Sequence, residues 1–188
     1  HNNLGKALLE LKRPAQALAS LDLAVALQPG HAMAHNNRGL ALENLNRLDE
    51  ALASYDRAIQ SRLNFASAHC HRGNVLHALN RHGEALASYD RAIELRPDFA
   101  AAHSNRGNAL YELNRFEKAL ASYDRALALR PEFAEALTNR GNALHELRRY
   151  EEARASHDRA LALRRDFAEA YSNLGNSLKE LRRFDEAL

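Results

Sequence analysis

The chain has 188 residues, of which 27% are charged and 6% aromatic, and its 26 basic and 24 acidic residues leave a formal net charge of +2. That near-balance removes the electrostatic case for nucleic acid as a partner, which needs a basic stripe or cluster. Cys70 is the single cysteine, so no internal disulfide forms, and no apolar run approaches the ~20 residues that span a bilayer. A reducing, cytoplasmic setting without membrane contact is therefore expected.

The strongest pattern is a period. Gly5, Gly39, Gly73, Gly107, Gly141 and Gly175 follow one another at 34-residue intervals. A constant period of this length marks a row of stacked supersecondary units. The chain between the glycines is rich in Ala, Leu, Glu and Arg, strong helix formers, which predicts an all-α protein. Boundaries seven residues before each glycine give a partial repeat at 1–31, full repeats at 32–65, 66–99, 100–133 and 134–167, and a second partial repeat at 168–188. Both ends fall in mid-repeat, so the sequence reads as an excerpt from a longer protein.

In chain order, each full repeat carries the same elements, and 100–133 represents them. The composition predicts one helix from Ala100 to about Leu113, a connection at Leu113-Asn114-Arg115, and a second helix from Glu117 to about Leu129. Arg130-Pro131-Glu132-Phe133 ends it, since proline has no amide hydrogen and disfavours helical geometry in the residue before it. Gly107, Ala119 and Ala126 recur as Gly39/Ala51/Ala58, Gly73/Ala85/Ala92 and Gly141/Ala153/Ala160. A glycine inside a helix costs ~1 kcal/mol against alanine, so its repetition predicts a close helix crossing with no room for a side chain. Tyr55, Tyr89 and Tyr123 supply the large residue opposite, with Leu21 and His157 at the same phase. Phe65, Phe99, Phe133 and Phe167 are expected to close the joints between repeats.

Small residues at three phases, a large one in the second helix and a terminal proline resemble the tetratricopeptide repeat, over the whole chain and without an insertion. The resemblance implies a right-handed superhelical solenoid of antiparallel helix hairpins, with the first helices lining a concave groove. Leu63 and Arg165 depart from it at the proline phase. Arg38, Arg72, Arg106 and Arg140 depart from it where the family often has leucine.

A helical wheel divides the first helix without help from the family. His103, Gly107 and Leu110 share the packing arc, while Ala101, Asn105, Asn108 and Glu112 share the opposite one, with Tyr111 at its edge. The arc carries two rows of amides. One runs Asn3, Asn37, His71, Asn105, Asn139, Asn173, two residues before each glycine; the other runs Asn74, Asn108, Asn142, Asn176, just after four of them. Asparagine is a poor helix former, yet its two donors and one acceptor oxygen match a peptide backbone. Three uses stay open: contact with the main chain of an extended peptide, bridges between neighbouring first helices, or caps on local carbonyls. At the phase of Tyr111 stand His77 and His145; His77 and Tyr111 join the candidate peptide contacts.

The amide ladder is similar to the asparagine row in the superhelix of O-linked N-acetylglucosamine transferases, where it contacts substrate and partner peptides. The chaperone-binding subgroup of the family clamps a terminal carboxylate with lysines. Here Cys70, Ser104 and Thr138 occupy one clamp phase and Ala101, Glu135 and Glu169 the other, which argues against a clamp. Met33 and Leu40 against Glu112, Glu135, Glu146, Glu169 and Glu180 suit a partner apolar at one end and basic at the other, or simply a solvated face.

No chemistry of bond-making is legible. His69 and His71 point ~200° apart on a helix, and His31 with His35 straddles a helix boundary, so neither pair suits a metal. The glycines lie inside helices, not in a phosphate loop. No nucleophile has a base at activating spacing, and neither cofactor nor metal is expected. The Asp-Arg pairs, such as Asp90-Arg91 and Asp124-Arg125, read as surface ion pairs or as links between hairpins. The expected function is a protein-interaction module that holds an extended peptide. The alternatives are the substrate-selecting arm of a larger glycosyltransferase and a scaffold that stacks head to tail through its terminal repeats.

Overall fold

The computed structural model describes residues 1–181; the end of the partial repeat expected over 168–188 lies outside the described residues. Among the described residues there are eleven α-helices and no strand. They are α1 (Asn2–Glu10), α2 (Pro14–Leu27), α3 (Ala32–Asn44), α4 (Leu48–Ser61), α5 (Ala66–Ala78) and α6 (His82–Leu95), followed by α7 (Ala100–Glu112), α8 (Phe116–Leu129), α9 (Ala134–Glu146), α10 (Tyr150–Leu163) and α11 (Ala168–Glu180). Odd-numbered helices open each hairpin and even-numbered ones close it. Helix α8 starts one residue before the sequence suggests, because the Arg115 carbonyl already accepts the Ala119 amide at 2.9 Å.

Five turns share one solution. Lys12, Asn46, Asn80, Asn114 and Arg148 all hold φ between 55° and 59°. Around Asn114 the Arg115 amide donates to Leu110 at 2.9 Å and the Asn114 amide to Tyr111 at 2.8 Å, so the last carbonyls of α7 are satisfied. Asparagine tolerates this left-handed geometry; a long side chain with a full Cβ does so at a cost of ~1–2 kcal/mol. Arg148→Gly is therefore expected to stabilise the protein by roughly 0.5–1 kcal/mol after the added flexibility of the unfolded chain is subtracted. Thermal melts would show it, and Asn114→Gly should gain less.

The chain forms two compact units, His1–Pro97 and Asp98–Leu188. In the first, Ala17, Leu21, Ala41, Leu42, Ala51, Tyr55 and Val75 form one buried cluster, while Ala58, Phe65 and Ala68 form another. In the second, Ala126, Leu127, Ala136, Leu137, Ala160, Leu161, Phe167 and Ala170 pack together. The periodic glycines let the large residues of the second helices pack close. A Cβ at Gly39, Gly73 or Gly107 would lie 2.5 Å from Cε1 of Tyr55, Tyr89 or Tyr123, so hydrogen alone fits. Leu63 and Arg165 do not disturb their turns: α4 and α10 have 14 residues, as α6 and α8 do.

Within each unit the first helices approach one another, α1 to α3 to α5 and α7 to α9 to α11. Among the described residues no Cα pair lies within 8 Å between α2 and α4, α4 and α6, or α8 and α10. The first helices thus lie on the inner side of each unit's curvature.

Candidate functional site

On the inner face of the second unit the two amide rows bond to each other. Asn139 Nδ2 donates to Asn108 Oδ1 at 2.9 Å, and Asn173 Nδ2 donates to Asn142 Oδ1 at 2.8 Å. Asn139 and Asn173, each two before a glycine, thereby reach back to the residue just after the preceding glycine. Asn108 also accepts from the Tyr123 hydroxyl at 2.9 Å, which ties the row to the glycine–tyrosine core. Asn105, Asn108, Asn139, Asn142 and Asn173 are partly buried, and Asn176 is exposed.

The first unit solves the same problem differently. Lys6 and Leu40 stand after its first two periodic glycines, so no amide waits there. Asn37 Nδ2 donates instead to Asn2 Oδ1 at 3.0 Å, and His71 Nδ1 lies 3.0 Å from Asn36 Oδ1. Asn2 and Asn36 stand outside both rows of the sequence pattern; their one signal is the missing asparagine at 6 and 40. Asn3 is exposed and accepts from Asn2 at 3.5 Å. Tyr55, deprived of an asparagine, donates to Glu43 Oε2 at 2.8 Å; burial raises the Glu43 carboxyl above its ordinary range, against the lowering effect of that bond. Asn74 accepts from Tyr89 at 3.0 Å.

His71 is partly buried, and burial, aided by the charge of Arg96, lowers its pKa to about 4. Its ring lies 5.6 Å from that of Tyr55. At neutral pH it is an uncharged member of the ladder, one bond to Asn36 replacing an amide bridge.

The residues at the edge of the inner face have structural neighbours as well. His77 meets His82, with Nδ1 atoms 3.1 Å apart, Tyr111 packs edge-on against Phe116, and His145 does the same with Tyr150. Each pair closes over a left-handed turn. Tyr111 also donates to Glu146 Oε1 at 3.4 Å. Of the glutamates expected to greet a basic partner, Glu135 is already bound by Arg164 Nη1 at 2.7 Å.

The arginines preceding the glycines join three helices at once. Arg72 donates to Asp56 of the preceding hairpin and to Ser88 of its own, both at 2.7 Å. Arg38 repeats this with Asp22 and Ser54, and Arg140 with Asp124 and Ser156, all at 2.6 Å. Polar tethering thus occupies the phase where the family often places leucine. Of the two readings of the Asp-Arg pairs, surface ion pairs or links between hairpins, the link is found at Asp56 and Asp124, with the aspartate's partner lying 16 residues downstream, not next door.

Between α7, α9, α10 and α11 lies a cavity of about 220 Å³, lined by Tyr111, Asn142, His145, Glu146, His157, Asn173 and Asn176. His157 is fully buried, and neither of its ring nitrogens has a hydrogen-bond partner. Burial, with the nearby His145, lowers its pKa to about 4, so the ring is neutral. Among the described residues no three His, Cys, Asp or Glu side chains cluster as metal ligands would, and no helix is long and apolar enough to cross a membrane.

Two family models match the chain: one described as TPR repeat, over residues 73–114, 107–148 and 141–181, and one described as Tetratricopeptide repeat, over residues 2–67. The chain belongs to the tetratricopeptide repeat family. No curated protein matches it. Among solved structures, PilW, a widely conserved type IV pilus biogenesis factor, is 22% identical with a TM-score of 0.91, over 99% of this chain and 86% of that one. YrrB, a TPR protein with an unusual peptide-binding site, is 24% identical with a TM-score of 0.73, over 89% and 87%. The first TPR of Spaghetti (RPAP3), bound to the HSP90 peptide SRMEEVD, is 26% identical with a TM-score of 0.62, over 62% and 93%. These likenesses place the chain among TPR solenoids.

Proposed function

We propose that the inner face of each unit holds an extended peptide segment, with the asparagines of the first helices contacting its main chain. The supporting observation is the bridging itself. Asn139 and Asn173 each use one N–H on a neighbouring first helix, which leaves one donor and an acceptor oxygen per amide by simple inventory. A bridged amide is held in one rotamer, so less side-chain entropy is lost when a ligand arrives. Bridge and contact, rivals in the sequence pattern, are two halves of one device. The TPR fold suits protein and peptide partners, and a related TPR binds a peptide. That peptide, SRMEEVD, is acidic. This chain places Ser104, Thr138, Glu135 and Glu169 at the clamp phases, so a different kind of segment is its partner.

Each main-chain bond adds only ~0.5–1.5 kcal/mol net, so capture requires several rungs together. Replacing Asn105, Asn139 and Asn173 together with alanine is expected to weaken capture of partner peptides by roughly 100-fold or more, with helicity by circular dichroism unchanged. Isothermal titration with peptides recovered by pull-down would check this. Equal affinity in the triple variant removes the ladder from the mechanism.

A further inference from the structure

The cavity beside His157 exists because one repeat breaks the pattern of the others. Where Tyr123 reaches past Gly107 to bond Asn108, His157 packs on Gly141 but has no phenol to extend to Asn142. Among the described residues Asn142 Oδ1 consequently accepts from Asn173 alone, where Asn108 Oδ1 accepts from two donors. A space of about 220 Å³ is left beside the buried ring. A water occupies ~30 Å³, and the cavity has room for a whole side chain.

The lining indicates which side chain. Among the described residues Glu146 is its only formally charged group, with Tyr111 donating to Oε1, and Asn142 presents its carbonyl oxygen. The His157 ring, uncharged at neutral pH, adds no positive charge. One carboxylate thus stands beside neutral amides at the edge of the space. A guanidinium or ammonium supplies several donors and one compensating charge, whereas a carboxylate or phosphate would meet Glu146.

We infer that this cavity is a specificity pocket for a basic side chain, arginine or lysine, of the peptide lying on the inner face of the second unit. The cationic head pairs with Glu146 and donates toward Asn142. The inference rests on the peptide-holding reading, to which it adds a residue preference at one rung.

The test uses N-acetyl-arginine amide, N-acetyl-lysine amide and the neutral isostere N-acetyl-citrulline amide as probes of the whole chain. Binding would be followed by NMR shifts of the Asn142 and Asn173 side-chain amides and the His157 ring. The arginine and lysine probes should saturate with dissociation constants roughly 10-fold or more below that of citrulline, the advantage of a charge-assisted bond over a neutral one. Glu146→Gln should abolish that preference. His157→Tyr should fill the cavity as Tyr123 fills its own site, raise the melting temperature and abolish binding of all three. Equal binding of citrulline and arginine, unaltered binding in His157→Tyr, or no saturable shift with any probe each overturns the pocket. Single capped residues cannot span two rungs, so a negative result here leaves the peptide-holding reading intact. Loss of peptide capture in the triple-asparagine variant is a separate failure, and Glu146→Gln lies outside that row.

Discussion

Gly107→Val is expected to lower the stability of the second unit by about 3 kcal/mol, the upper end of what overpacking a core ordinarily costs. An added Cβ would sit 2.5 Å from Tyr123 Cε1 and 2.7 Å from Cδ1, well inside van der Waals contact. The ring cannot move aside: Tyr123 is only 1% exposed, and its hydroxyl is tied to Asn108 at 2.9 Å. Alanine at 107 should cost less, because ~1 kcal/mol of improved helix propensity offsets part of the clash. Gly83 provides the opposite sign. It lies exposed within α6, and a methyl group there would have no neighbour within 4 Å, so Gly83→Ala should stabilise by roughly 0.4–1 kcal/mol. Urea unfolding of the three variants would check both. A neutral Gly107→Val would mean that the tyrosine ring is not held as described.

Acidification from pH 7 to 4 should destabilise the fold by about 3 kcal/mol for each of His71 and His157. Both rings titrate near 6.5 when exposed and at about 4 in the fold, chiefly because burial penalises the charged form. Above pH 6.5 neither state binds the proton, so stability is level. Between 6.5 and about 4 the unfolded chain takes up protons that the native state refuses, and stability falls by ~1.4 kcal/mol per pH unit per histidine. Below about 4 both states are protonated and this contribution levels off. Glu50, Glu84 and Glu152, lowered by hydrogen bonds from Arg47, Arg81 and Arg149, act only further down, and their exposure makes the effect small. Denaturation midpoints followed from neutral pH down to about 4 should thus show a decline that His157→Tyr and His71→Asn each reduce. An unaltered slope in His157→Tyr would show that its ring is not buried uncharged.

Much of the architecture is readable because the repeat writes each constraint several times. One glycine in a helix is ambiguous, but five glycines in register with Leu21, Tyr55, Tyr89, Tyr123 and His157 specify one packing contact. The inner-face asparagines are equally visible, though their bonding is not. A 34-residue spacing says that Asn139 and Asn173 occupy one phase; it does not say that their donors meet Asn108 and Asn142, 31 residues earlier. Nor does it show that Arg72 meets Asp56 and Ser88 on two different helices.

Periodicity and helix propensity alone determined the all-α class, the hairpin lengths, the small-against-large packing and the amides' common face, since all of these follow from ~3.6 residues per turn and steric volume. Tertiary structure decided how those amides are used and where the pattern leaves an opening. Hydrogen-bond partners across helices depend on sub-ångström reach, which a wheel does not contain. The exchange of Tyr for His at 157 is visible as one letter; only packed helices turn it into a cavity beside Asn142.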